Sequence, residues 1–324
     1  MKTMRHIAAL ALISCAAAAS ADTGYPGKDS IRLVVPWTAG SGTDAVARYI
    51  GEQLSQSWKV PVIVDNRPGA SGIIGTQAVA GAKPDGRTLL VAVTSHITNP
   101  HFYRGKLAYD TDKAFEPVIL MTKTPAILWM GPQLNAKSLE DVVKIAKQKP
   151  GDLAYASSGV GNTPHLTAEM FKQAAGLDIK HSPYKGAAAS VPDVLGGHIP
   201  LAISLMGTFQ SYYKTRQVSA LAVAAKTRMK MAPEIPTFAE LGYPDVLGDE
   251  WFGILAPANT PPEIIDKLNK EIDRIIALPE AQDRLTTLGM EPMGGSPQDF
   301  ARFMSEAKAR WMDVIEKGNI KLQD

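Results

Sequence analysis

The chain alternates short β-branched runs with helical patterns, and three of those runs lead through glycine-rich loops into helix starts. Such alternation marks an α/β sheet assembled from crossover units, with the connecting helices packed on its faces. The predicted strands are Ile31–Pro36, Val60–Asp65, Thr88–Thr94, Ala126–Met130, Leu153–Ala156, Leu201–Leu205, Ala220–Ala224 and Trp251–Ala256. No internal repeat or low-complexity tract interrupts them. A length of 324 residues exceeds the ~150-residue prior for one domain, so two lobes are expected. The middle section, Ile127 to Glu250, has its own strands and helices. The stretches Glu116 to Met130 and Asp249 to Pro257 can cross between lobes. The expected division is 1–21 as a removable leader, 22–126 with 252–324 as a discontinuous first domain, and 127–251 as the second. Two α/β lobes joined by two crossings frame a cleft that can close on a small ligand.

The leader is read from Lys2 and Arg5, the apolar stretch Ile7 to Ala19, and the small residues Ala19-Ser20-Ala21. This is the pattern of a cleaved export signal, too short in its apolar run for the ~20 residues of a spanning helix. An uncleaved anchor and a lipoprotein, from the loose lipobox Leu12-Ile13-Ser14-Cys15, are the alternatives. Lys2 and Arg5 are the only Lys, Arg, Asp or Glu residues in this segment, so its removal leaves as many basic as the 32 acidic residues. A mature chain without a basic surplus or stripe is unsuited to nucleic acid or an anionic membrane. Its only cysteine, Cys15, leaves with the leader, which excludes disulfides and thiolate chemistry and suits a bacterial periplasm. No metal and no cofactor is expected.

Three segments place a hydroxyl three residues before an acid, as a helix cap does: Ser138-Leu139-Glu140-Asp141, Thr260-Pro261-Pro262-Glu263 and Ser296-Pro297-Gln298-Asp299. The last helix then carries Phe300, Phe303, Met304, Ala307, Trp311, Val314 and Ile315 at helical spacing. That stripe reads as core packing.

The first glycine-rich loop joins the strand Ile31–Pro36 to a helix through Trp37, Thr38, Ala39, Gly40, Ser41, Gly42 and Thr43. Glycine lets backbone approach a ligand, and free N–H groups at a helix start attract an anion without a cationic side chain. A carboxylate therefore fits. Gly40-Ser41-Gly42-Thr43-Asp44-Ala45 also matches a dinucleotide fingerprint with Asp65 as a ribose acceptor, which keeps a nucleotide-dependent oxidoreductase as an alternative. The second loop, Asn66-Arg67-Pro68-Gly69-Ala70-Ser71-Gly72, follows the next strand and leads into a helix from about Ile73. The third, Ser157-Ser158-Gly159-Val160-Gly161-Asn162-Thr163-Pro164, places Thr163 as the expected N-cap and Pro164 as the first helical residue. His165 just beyond reads as a supporting residue, since no second ligand stands at metal spacing. Ser41, Ser71 or Ser158 with His96, His101, His165 or His181 provides the residues of an exported hydrolase, but none stands in a nucleophile motif. Trp37 offers a flat apolar wall, with plain packing under the first helix as the other reading.

Tyr25-Pro26-Gly27-Lys28 with Ile31-Arg32-Leu33-Val34-Val35-Pro36, Asp65-Asn66-Arg67-Pro68-Gly69-Ala70, Pro84-Asp85-Gly86, Asn99-Pro100, Ala136-Lys137-Ser138-Leu139, Pro183-Tyr184-Lys185-Gly186 and Ala256-Pro257-Ala258-Asn259-Thr260-Pro261 occur in one order along the chain. In that order and spacing they resemble the extracytoplasmic solute receptors of tripartite tricarboxylate transporters, the Bug family. The resemblance covers essentially the whole mature chain. It implies a type II-like periplasmic binding protein fold, each lobe a mainly parallel sheet flanked by helices. It implies a monomeric receptor, not an enzyme, that captures a di- or tricarboxylate or an aromatic diacid of the phthalate kind and delivers it to permease subunits. It further implies that loops matching Trp37 to Thr43 and Gly69 to Gly72 hold one carboxylate, partly through water. The loop Ser157 to Asn162 then faces the rest of the ligand. The ligand-binding residues expected are Trp37, Thr38, Ala39, Gly40, Ser41, Thr43, Gly69, Ala70, Ser71, Gly72, Ser157, Ser158, Gly159 and Asn162. His96, Tyr184 and Lys185 are added on position. The stretch Trp37-Thr38-Ala39-Gly40-Ser41 departs from the family's usual aromatic residue, two prolines and two glycines.

Overall fold

The computed structural model describes residues 24–184 and 186–321, so the expected leader and Lys185 lie outside the described residues. Strand β1 (Ile31–Val35) leads into α1 (Gly42–Trp58), β2 (Val62–Asn66), α2 (Ile73–Ala80), β3 (Thr88–Ala92) and α3 (Ser95–Phe102). The long β4 (Phe115–Met130) follows, then α4 (Leu139–Gln148), β5 (Ala154–Ser157), α5 (Thr163–Ala175) and β6 (Lys180–Pro183). Next come α6 (Val191–Leu195), β7 (Leu201–Leu205), α7 (Met206–Lys214), β8 (Ser219–Val223) and β9 (Asp249–Pro257). The chain ends with α8 (Pro262–Ile276), α9 (Pro279–Thr287), β10 (Glu291–Pro292) and α10 (Pro297–Lys317).

These strands form one continuous sheet in the order β2-β1-β3-β9-β4-β7-β5-β6, with β8 and β10 also paired to β4. Strand β4 explains the continuity. Its 16 residues extend on the order of 50 Å, enough to pair with β9 along Phe115 to Pro125 and with β7 and β8 along Ala126 to Met130. The sequence reading placed only the second part of β4 in a strand. It expected mainly parallel sheets; among the described residues, parallel ladders join β1 to β2 and β3 and join β5 to β6 and β7, while the other ladders are antiparallel. The strands β4 and β9 at the centre pair antiparallel with their neighbours, because they carry the chain across and back rather than through a helical crossover. Strand β6, Lys180-His181-Ser182-Pro183, lacked the apolar run that marks a strand.

Helix α10 starts as expected, with Ser296 and Asp299 in a reciprocal capping box and Pro297 at its first position. It buries Phe300, Ala307, Trp311, Val314 and Ile315, and packs against β4, α3 and α5. Fully burying such large apolar side chains contributes about 1.5–3 kcal/mol each. Ser138 caps α4 by accepting the Asp141 N–H at 3.1 Å. Thr260 does not cap α8: its hydroxyl donates to the Pro257 carbonyl, and Pro261 holds the cap position instead. Nor is Thr163 the cap of α5. Asn162 is, its side-chain oxygen accepting the His165 N–H at 3.0 Å, because the extended backbone at Asn162 aims that oxygen back over the first turn.

Candidate functional site

Three connections converge on one cavity of about 460 Å³. Trp37 comes from the loop after β1, Ser71 from the loop after β2, and Ser158, Gly159, Val160, Gly161 and Asn162 from the loop after β5. The remaining wall is α3, which presents Ser95, Asn99, Phe102 and, at its end, Tyr103. No charged side chain is among these lining residues. What faces inward is hydroxyls, amides and aromatic rings.

The second loop is built under strain. Gly69, Ala70, Ser71 and Gly72 have φ of 130°, 46°, 54° and 88°. Holding the non-glycine residues Ala70 and Ser71 left-handed costs roughly 1–2 kcal/mol each, a cost that strained loops at functional sites carry when their surroundings over-determine them. Here α3 supplies those surroundings. Asn99 donates to the Ser71 carbonyl at 2.9 Å, and Ser71 shares a 3.1 Å hydrogen bond with the Tyr103 hydroxyl. Gly69, Ala70 and Gly72 shape the turn, while Ser71 reaches the cavity.

In the third loop Ser158 accepts from the Asn162 side-chain amide at 2.9 Å, which leaves its own O–H to donate elsewhere. Ser157, 1% exposed, bonds to Gly159 and to the His181 ring at 2.7 Å. That serine–histidine pair is the nearest approach to a hydrolase arrangement. It lies beneath the loop, with Ser157 buried and the His181 ring stacked between Tyr155 and His165.

The first loop departs from expectation. Its helix start was read as a source of free N–H groups, but Asp44 in the first turn of α1 already occupies it. The Asp44 carboxylate, almost fully buried, accepts from the Gly40 N–H, the Arg48 guanidinium and the Asn66 amide, each at 2.9 Å. Burial alone would raise its pKa, yet these hydrogen bonds hold it below the usual carboxylate range. Ser41 is spent as the N-cap, accepting from the Asp44 N–H at 3.2 Å. Thr38, Ala39 and Gly40 are exposed and Thr43 is buried in α1, and none of the four is among the lining residues. A pyrophosphate would meet Asp44 at this helix end, and Asp65 is already bound by Arg32 and Arg67 at 3.0 and 2.8 Å. The dinucleotide reading therefore fails on local electrostatics.

His96 and Tyr184 also lie elsewhere. His96, 7% exposed, packs edge-on against Phe115 and lines a separate cavity with Asp112 and Lys308. Tyr184 donates its hydroxyl to Asp193, and burial followed by that carboxylate pushes its pKa up to about 12. Val160 and Gly161 lie in the expected third loop but not among its expected ligand residues, and the lining residues missed outright are Ser95, Asn99, Phe102 and Tyr103. Their three- and four-residue spacing was the available signal, since it puts them on one helical face. Also missed was Glu250 of β9, which accepts the Thr94 N–H at 3.0 Å at the start of α3. Burial raises the pKa of Glu250, while the hydrogen bond from the Thr94 N–H opposes that rise.

A family profile described as tripartite tricarboxylate transporter family receptor matches residues 46–320. The chain belongs to this receptor family. The protein BugT of Bordetella pertussis is 33% identical over 315 residues, covering 97% of this chain and 96% of its own length. Among solved structures, Rpa4515 of R. palustris with adipate has a TM-score of 0.83 at 34% identity, covering 92% of this chain and all of that one. MatC of Rhodopseudomonas palustris with bound malate has a TM-score of 0.77 at 28% identity, covering 90% and 100%. The fold of this receptor is thus the two-lobed periplasmic binding protein fold.

Proposed function

We propose that this receptor works in the periplasm, capturing a small carboxylate-bearing organic acid in the cavity between α3 and the second and third loops. Di- and tricarboxylates and aromatic diacids are the candidate ligands, and permease subunits of a tripartite tricarboxylate transporter are the recipients. Residues 22–126 with 252–324 form one lobe and 127–251 the other, closing on the ligand as a monomer after the leader is removed. The observation that carries this reading is a cavity lined by hydroxyls and loop amides with no charged side chain among the described residues. Hydrogen bonds to a charged acceptor contribute about 1.5–3 kcal/mol each, so several suffice for micromolar binding after the costs of association. Unlike α1, helix α5 has no acid in its first turn, so no carboxylate of its own opposes an anion at that end. The rings of Trp37, Phe102 and Tyr103 provide the apolar wall. The complexes of similar receptors with adipate and malate support the ligand class.

A thermal-shift series with adipate, malate, citrate and phthalate, each beside its methyl ester, tests the reading. At 100 times its dissociation constant a ligand stabilises the folded state by about 2.7 kcal/mol. At least one free acid is expected to raise the melting temperature and its ester to leave it unchanged; equal shifts for both would remove the anion from the argument. Ser158→Ala is expected to weaken the best acid by about 1–2 kcal/mol, measured by calorimetric titration, with little loss of stability. Unchanged affinity would mean that this hydroxyl does not meet the ligand.

A further inference from the structure

Beneath the third loop lies a buried polar column that ligand contact does not by itself explain. The rings of His165 and His181 stack with centroids 4.0 Å apart and planes 18° from parallel, and Tyr155 stacks on the other face of His181 at 4.9 Å. Tyr155 donates to Glu169 at 2.6 Å, and Glu169 pairs with Lys172 at 2.8 Å. Burial lowers the pKa of both imidazoles, to about 4 for His165 and about 3 for His181, with Lys172 acting in the same direction. Both rings are therefore neutral in ordinary buffers, each with one N–H donor and one lone pair.

Both rings meet the loop. His165 Nδ1 accepts the Gly161 N–H at 3.0 Å. The Ser157 hydroxyl accepts the Gly159 N–H and donates to the Gly159 carbonyl, so His181 Nε2–H is the donor in its 2.7 Å hydrogen bond to Ser157. Glycine imposes no conformation of its own, and Gly159 and Gly161 hold φ of 136° and 78°. A loop of this composition needs an outside constraint to keep one shape, and a shape fixed in advance lowers the ordering cost of binding. Two apolar residues could fill the same volume. They could not take the Gly161 N–H or orient Ser157.

We propose that His165 and His181 are positioning residues for ligand capture. They turn the Gly161 amide and the Ser157–Gly159 turn inward, so that Ser158 and the Val160 amide face the cavity in one arrangement. The proposal rests on the receptor reading of this cavity. It places a specificity-determining layer one shell behind the ligand, in residues with no need to touch it.

The test pairs His165→Leu, which keeps apolar bulk and removes the acceptor, with His165→Asn, which retains an acceptor near the Nδ1 position. His181→Leu and His181→Gln form the matching pair. Two readouts are taken: affinity for adipate, or for the best acid of the thermal-shift series, and hydrogen exchange of the peptide spanning residues 157–162 in the free protein. His165→Leu is expected to lose about tenfold in affinity and to speed exchange in that peptide, while His165→Asn recovers most of both despite losing the ring stack. The His181 pair should behave alike. Equal losses in Leu and Asn variants, scaling with melting temperature, would show a purely structural role and overturn the proposal. So would unchanged loop exchange in His165→Leu. If the wild type binds no organic acid, the receptor reading fails on its own, and the exchange data still decide whether the histidines fix the loop.

Discussion

Between pH 6.5 and about 4 the folded protein is expected to lose much of its stability, and the cause is buried neutral histidine. Burial lowers the pKa of His96 and His165 to about 4 and that of His181 to about 3, with Lys172 and the neighbouring ring adding to the shift at His181. In the unfolded chain the same groups titrate near 6.5. For a base with a depressed folded pKa, the unfolded state takes up the proton first. The stabilising contribution is therefore complete above about pH 6.5 and lost as the pH falls toward the folded values. Each group contributes a slope of up to about 1.4 kcal/mol per pH unit, so His96 and His165 together cost on the order of 6 kcal/mol by pH 4. That is comparable with the whole stability of many domains, about 5–15 kcal/mol. Asp249 and Glu250, raised by burial, act in the opposite sense: they favour the folded state at low pH and offset part of the loss. Urea midpoints from pH 8 to 4.5 provide the measurement. The slope should correspond to an uptake of two to three protons on unfolding, and a flat profile from pH 7 to 5 would show that these rings charge as easily in the fold as outside it.

The second large effect is expected at Gly161. Its φ is 78°, and a Cβ there would lie 2.6 Å from Phe102 Cε2 on the facing wall of the cavity. Gly161→Ala thus adds a left-handed alanine, roughly 1–2 kcal/mol, to a contact that is relieved only when the Phe102 ring turns aside or α3 and the third loop move apart. Since Phe102 and the third loop both line the cavity, either movement reshapes the site. Ligand affinity should fall by about 100-fold or more while the melting temperature changes by a few degrees, a split that marks damage to the site rather than the core. Placing the change beside Phe102→Ala separates the two causes: in that background the penalty of Gly161→Ala should shrink to the backbone cost alone. An undiminished penalty would show that Phe102 is not what the added methyl meets.

Features carried by contiguous residues are legible in the sequence itself. The cap Ser296-Pro297-Gln298-Asp299 is decided by atoms within one helical turn, and its spacing alone predicts the capping box found there. The third loop was legible for the same reason, because glycines between a strand and a helix start mark a turn where backbone can approach a ligand closely. Asp44 shows where that logic ends. As a residue in the first turn it was in plain view, but its role depends on its side chain folding back onto the Gly40 N–H and meeting Asn66 from a different strand, 22 residues away. His96 misled for a similar reason. Its place beside the loops in sequence says nothing about which side of α3 it occupies, and that side is set by packing against Phe115.

The sequence by itself determined the α/β class, the three loops and the family, because strand and helix periodicity, glycine at loop positions and the order of short motifs are all local properties of the chain. Only the tertiary structure decided which of those loops face the cavity. It brought α3 in as a wall, filled one helix start with Asp44 while leaving that of α5 without an acid of its own, and stacked His165 on His181 across an α5–β6 junction. The physical reason is that electrostatic and hydrogen-bond partners are chosen by proximity in space. In a sheet whose central strand β4 joins one half to the other, that proximity is set by strand order and burial, which no spacing along the chain records.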